Sequence, residues 1–329
     1  MISPNSKLAQ NPVDKTKLEQ VPTRMGFGKG LVQAGEKEKN VVALCCDLTI
    51  STQVSPFAEK FPDRYIEVGI AEQNLACIGA GMALQGKIPF LASYASFSPG
   101  RSNEQVRTAI CIGNVPVKIG GMHAGVSVGP DGMTHQALED IALMRVLPRM
   151  VVVVPCDALE SQKATFASAF NGKPTYLRFG REKTPVFTTT ETPFEIGRAE
   201  IFREGKDVTI VGCGSLLFNA MVAAEELAGE NIDCEVINSH TIKPLDGATI
   251  LTSVQKTGCL VSVEEHQIAG GLGSAVSEFL SQNYPVPQEF IGARDRFGET
   301  GQPDELLTAM KMDVPAIKES VKKVTSRKS

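Results

Sequence analysis

The chain has 329 residues, 42% of them hydrophobic and 21% charged, and a formal net charge of −4. That length accommodates two ordinary α/β domains, each able to bury its own core. The mildly acidic balance, without a Lys/Arg stripe interleaved with aromatics, excludes a general nucleic-acid binder, and no apolar stretch is long enough to cross a bilayer.

Residues 1 to about 22 are polar and aperiodic. They read as a mobile tail or a partner-contacting arm, and they lack the apolar core of a secretory leader. Short β-branched runs then alternate with longer helical patterns. Strands are predicted at 41–45, 88–91, 115–119 and 151–154, with helices over 71–84 and 158–170. Such alternation predicts a doubly wound parallel sheet with helices on both faces, spanning 23–182. The Pro- and Thr-rich stretch 183–195, KTPVFTTTETPFE, breaks the pattern and reads as a linker. A second α/β set over 196–329 has strands at 207–211, 234–237 and 259–263, and helices at 216–227 and from about 272. The predicted fold class is therefore α/β, with two doubly wound parallel-sheet domains. The eight cysteines include no C-x-x-C pair and read as small reduced core residues of a cytoplasmic protein.

Four stretches could carry chemistry. In VGIAEQN, Glu72 opens an otherwise apolar, small-residue helix. It serves either as a first-turn carboxylate favoured by the helix dipole or as a buried acid sharing a proton with a ligand nitrogen. In GGMHAGVSVGPDGMTHQ, five glycines fall within 13 residues, so the backbone can approach a ligand closely. Two of the chain's four histidines, His123 and His135, flank Asp131 here, a set of donors and one acceptor that suits a polyhydroxylated substrate. In YLRFGR, Arg178 stands at a strand end, where open parallel sheets bind ligands, and could hold a phosphate or remain a solvated surface group. In SYASFSPGR, Phe97 follows a strand and reads as core packing or as a stacking surface.

These stretches occur together, and in the same order along the chain, in transketolases. VGIAEQN resembles that family's catalytic-glutamate motif, HAGVSVGPDGMTHQ its substrate loop, and VINSHTIKPLD, VEEHQIAGGLGSAV and DRFGETGQPDELL its C-terminal domain signatures. The resemblance runs from about residue 22 to 325. It implies the thiamine diphosphate pyrimidine-binding fold followed by the transketolase C-terminal domain. It also implies transfer of a two-carbon ketol unit from a ketose phosphate to an aldose phosphate. Glu72 would contact N1′ of the aminopyrimidine and exchange a proton with it, and Phe97 would stack on that ring. Arg24, Ser51, His123 and Arg178 match positions that hold the substrate phosphate. Asp131 would bind the α-hydroxyl, and His135 would lie near the reacting carbonyl. The family's GDG…N motif for diphosphate and Mg²⁺ does not occur. That makes the chain similar to the smaller subunit of a split transketolase, with the Mg²⁺ site on an N-terminal partner subunit in an α2β2 heterotetramer. One departure is local: three and six residues beyond Phe97, where full-length transketolases carry aromatics, stand Gly100 and Asn103.

Two other readings compete. One is half of another thiamine diphosphate enzyme, a 2-oxo-acid dehydrogenase beta chain or a deoxyxylulose-phosphate synthase fragment. The beta chains share a GIAEQ-like run but not HAGVSVGPDG, and the synthases lack the equivalent of His123. The other is a non-catalytic pseudo-subunit, against which the intact Glu72, His123, Asp131, His135 and Arg178 argue.

Overall fold

Five consecutive buried residues, Val41–Cys45, form a strand covered on both faces, as expected of a strand inside a parallel sheet. The computed structural model describes residues 1–328. In chain order the first domain contributes β1 (Gln20–Pro22), α1 (Thr23–Lys37), β2 (Val41–Cys45), α2 (Ser55–Lys60), β3 (Tyr65–Glu67), α3 (Glu72–Leu84) and β4 (Ile88–Tyr94). Next come α4 (Asn103–Gln105, continuing as a π-helix over Val106–Ile112), β5 (Lys118–Met122), α5 (Asp140–Arg145), β6 (Val151–Val153), α6 (Ala158–Ala169), β7 (Thr175–Arg178) and β8 (Lys183–Pro185). The second domain contributes β9 (Glu200–Arg203), β10 (Val208–Gly212), α7 (Leu216–Ala228), β11 (Cys234–Asn238), β12 (Thr241–Lys243) and α8 (Gly247–Thr257). It ends with β13 (Leu260–Gln267), α9 (Leu272–Asn283), β14 (Gln288–Ala293), α10 (Pro303–Ala309) and α11 (Val314–Thr325).

The larger sheet has the order β12-β6-β7-β5-β4-β2-β3 and the smaller β14-β13-β10-β11-β9. Both are parallel except at one edge, where β12 and β9 run antiparallel to their neighbours. The antiparallel β12 comes from the second domain and lies on β6 of the first, so the two domains share a sheet edge.

Four expectations need correcting. β5 begins at Lys118 rather than at Val115, because Pro116 has no N–H to donate to a ladder. The N-terminal 22 residues are not a loose tail but lie along this chain: Ser3 N–H donates to Phe202 O at 3.0 Å, and Ala9 N–H to Phe187 O at 2.9 Å. β1 pairs antiparallel with β8, so the stretch read as a linker begins as a strand. All eight cysteines are unbridged, but Cys77 is exposed on α3 rather than buried.

Candidate active site at the strand ends

Because β2, β3, β4, β5 and β7 run parallel, their carboxyl ends share one edge of the sheet, and the loops leaving them converge there. Ser51 lies beyond β2, Glu72 beyond β3, Phe97 beyond β4, and His123, Asp131 and His135 beyond β5. Arg24 joins them from the first turn of α1.

Gly69, at φ 71°, turns the chain from β3 into α3. Glu72 then sits 2% exposed at the helix N-terminus, where unpaired N–H groups favour a carboxylate. A buried carboxylate needs a partner, and Arg101 supplies it: Nη1 donates to Glu72 Oε2 at 2.8 Å. The second oxygen, Oε1, makes no side-chain hydrogen bond among the described residues. The Arg101 guanidinium lies over the Phe97 ring, 4.8 Å from its centroid.

Phe97 stacks with Tyr94, centroids 6.0 Å apart and planes 24° from parallel. His123 packs on Tyr94 at 3.9 Å, and His135 meets Phe97 edge-on at 5.3 Å. So the aromatic wall does not depend on positions 100 and 103. Its second ring comes from three residues upstream of Phe97, at the end of β4.

His123 is buried and adopts φ 56°. Burial, with the nearby charges of Arg24 and Arg181 and the His135 ring, pulls its pKa down to about 3. Arg24 Nη1 lies 3.4 Å from His123 Nε2 and donates to Ser51 O at 2.7 Å. Since a guanidinium only donates, Nε2 accepts and the ring proton belongs on Nδ1. That Nδ1 and Arg24 Nε are both buried without a hydrogen-bond partner among the described residues. The Ser51 hydroxyl itself donates to Leu48 O at 3.1 Å.

Arg178 is not part of this group. It and Tyr176 occupy one face of β7 and both bind Asp140: Arg178 Nε donates to Oδ2 at 2.8 Å, Nη2 to Oδ1 at 3.2 Å, and the Tyr176 hydroxyl to Oδ2 at 2.6 Å. Burial opposes both charges, yet their mutual attraction keeps Asp140 below its ordinary pKa and Arg178 above its own. From this strand end it is Arg181, just past β7, that reaches the loop between the histidines. Its Nη1 donates to Val128 O at 2.9 Å and to Asp131 Oδ1 at 3.2 Å, which ties it across the loop between the two histidines. Strand periodicity carried this signal: Tyr176 and Arg178 share a face, whereas Arg181 lies beyond the strand.

The second domain shapes the same loop. Gln136 Nε2 donates to Val126 O, Gly129 O and Glu299 O, and Glu265 Oε1 accepts from Ser127 N–H. Among the described residues no group of three or more His, Cys, Asp or Glu side chains could hold a metal ion, and no helix is long and apolar enough to cross a membrane.

Two family models match in series: the transketolase pyrimidine binding domain over residues 19–186 and the transketolase C-terminal domain over 197–317. The chain belongs to the transketolase family. It is 37% identical, over 96% of its own length and 98% of the relative's, to a 6-deoxy-6-sulfo-D-fructose transketolase subunit of Clostridium sp. (strain MSTE9). It is 35% identical, over 90% of its length and 95% of the relative's, to one subunit of the apulose-4-phosphate transketolase of Phocaeicola vulgatus. Among solved structures it is similar to a split gene transketolase described as an inactive beta4 tetramer. The TM-score is 0.89 at 41% identity, covering 94% of this chain and 100% of that one. Glu72 presents a buried carboxylate with one oxygen free of side-chain hydrogen bonds among the described residues, joined through Arg101 to the stacked Phe97 and Tyr94 rings.

Proposed function

We propose that this chain supplies the pyrimidine side of a thiamine diphosphate site in a transketolase assembled from two kinds of chain. The observation that carries the reading is Glu72, buried at the start of α3, with Oε1 unpartnered among the described residues and Arg101 linking it to Phe97, which stacks on Tyr94. Glu72 would hold a ring nitrogen of the cofactor and exchange a proton with it, while Phe97 would present a stacking face. When bound, the cofactor supplies the carbon nucleophile for ketol transfer. The diphosphate and its Mg²⁺ belong, in this reading, to an N-terminal partner subunit.

The substrate end is read from charge. Arg24 and Arg181 are the cations beside His123, and His123 is neutral, a donor set that suits a terminal anion on a sugar. Two relatives are named for a sulfonated and a phosphorylated sugar, which share that feature. Asp131, held by Arg181, would accept from a hydroxyl, and His135, edge-on to Phe97, would lie near the reacting carbonyl. In this reading Arg181 takes the anion-binding role that the sequence resemblance gave to Arg178.

The partner reading rests on the relatives named as subunits and on apolar side chains exposed around the site. Ile70 precedes Glu72, Ile50 precedes Ser51, Met133 lies in the substrate loop, and Phe297 lies in the segment bound by Gln136; all four are exposed. Co-expression with the chain that carries the diphosphate domain tests the proposal. The assembled complex should transfer a ketol unit from ketoses with a terminal phosphate or sulfonate to an aldose acceptor, and this chain alone should not. Transfer by the single chain with thiamine diphosphate and Mg²⁺ would refute the partner requirement. Failure of every donor in the complex would refute the activity.

A further inference from the structure

Arg101 makes two contacts that an exposed arginine has no ordinary reason to make together. It is half exposed, yet its guanidinium lies over Phe97 at 4.8 Å and bonds the 2%-exposed carboxylate of Glu72, 29 residues away in sequence. Guanidinium is planar and delocalised, and it offers N–H donors at its edge and a face for stacking. An aminopyrimidine offers a similar pair, a π face to an aromatic ring and a ring nitrogen that can share a proton with a carboxyl group. Two flat groups cannot occupy one place. Gly100 and Asn103 carry no aromatic ring, so neither adds one beside the guanidinium.

We infer that Arg101 holds the place of the cofactor ring: its guanidinium lies on the face of Phe97 that the aminopyrimidine takes when the cofactor binds, while Glu72 Oε1 stays available to the ring nitrogen. This rests on the proposed thiamine diphosphate site. Before binding, Arg101 compensates the buried charge of Glu72 and covers the apolar face of Phe97. For the ring to enter, the Arg101 side chain swings out to solvent, which its half-exposed position permits. An interaction made only in the free state weakens binding by its own free energy. Anchoring of the diphosphate by the partner subunit then supplies the drive that the ring alone lacks, so the site loads on assembly.

The test is the affinity of the assembled complex for thiamine diphosphate with Mg²⁺, measured by isothermal titration calorimetry, for wild type and Arg101→Ala. Removing a competitor that is lost on binding should tighten the dissociation constant by roughly fivefold or more, because a cation–π contact and an ion pair no longer have to be broken. Arg101→Met keeps an apolar stem without the guanidinium. It should tighten binding likewise, and it serves if the Ala variant fails to assemble. Equal or weaker binding by the variants, with the wild type binding normally, overturns the placeholder alone: Arg101 would then support the bound cofactor. If the wild-type complex binds no thiamine diphosphate, both the placeholder and the cofactor reading fall.

Discussion

The Glu265 carboxylate, in the second domain, accepts a 2.6 Å hydrogen bond from the backbone N–H of Ser127, in the first. Gly125, at φ 93°, passes directly over that carboxylate, and a Cβ there would collide with it. The loop carrying Asp131 and the two histidines is thus moulded on the second domain. Glu265→Ala should loosen it: amide exchange over 123–135 should rise, and KM for the donor sugar should rise about tenfold, with kcat changed far less. An unchanged exchange pattern would mean that the loop holds its shape without the second domain.

Arg178 and Arg181 should separate cleanly. Removing Arg178 leaves Asp140 buried and unpaired, a loss of about 3–5 kcal/mol, so Arg178→Ala should unfold at markedly lower urea. Arg181→Ala should keep the wild-type midpoint but raise KM for anionic donors about tenfold or more, as expected for loss of a charge-assisted bond of roughly 1.5–3 kcal/mol. A stable Arg178→Ala with only an affinity defect would return Arg178 to the substrate.

His123 gives a pH dependence of known sign. Its folded pKa lies near 3, below an unfolded value of about 6.5, so its contribution is complete above pH 6.5 and is lost as pH falls toward 3. Between pH 7.5 and 5.0 the wild type should lose about 2 kcal/mol more stability than His123→Asn, whose side chain does not titrate and tolerates the positive φ. Parallel denaturation curves for the two proteins would show that the imidazole is not held neutral.

What was legible in the sequence was local. Glu72 opening an apolar helix, the two histidines in a glycine-rich loop and the βαβ alternation are all short-range patterns, and the strand at 41–45 is placed to the residue. What was not legible depended on distant partners. β1 spans three residues with no periodicity and pairs with β8, more than 160 residues away. Arg101 acquires meaning only from Glu72, and Tyr94 only from Phe97 and His123. Arg178 and Arg181, three apart at a strand end, look alike in sequence; only the buried Asp140 that pairs with Arg178 tells them apart.

Glu72 is where the account is most exposed to test. Glu72→Gln is nearly isosteric and should leave folding and assembly intact, and the diphosphate should still anchor thiamine diphosphate in the complex. The amide cannot complete a proton exchange with the ring, and loss of a positioned acid–base group costs about 10²–10⁴-fold. The decisive measurement is hydrogen–deuterium exchange at C2 of thiamine diphosphate bound to the assembled complex. Exchange in the Gln variant should fall by about two orders of magnitude or more, whereas near-normal exchange would remove Glu72 from the chemistry and leave it a buried helix-start carboxylate paired with Arg101.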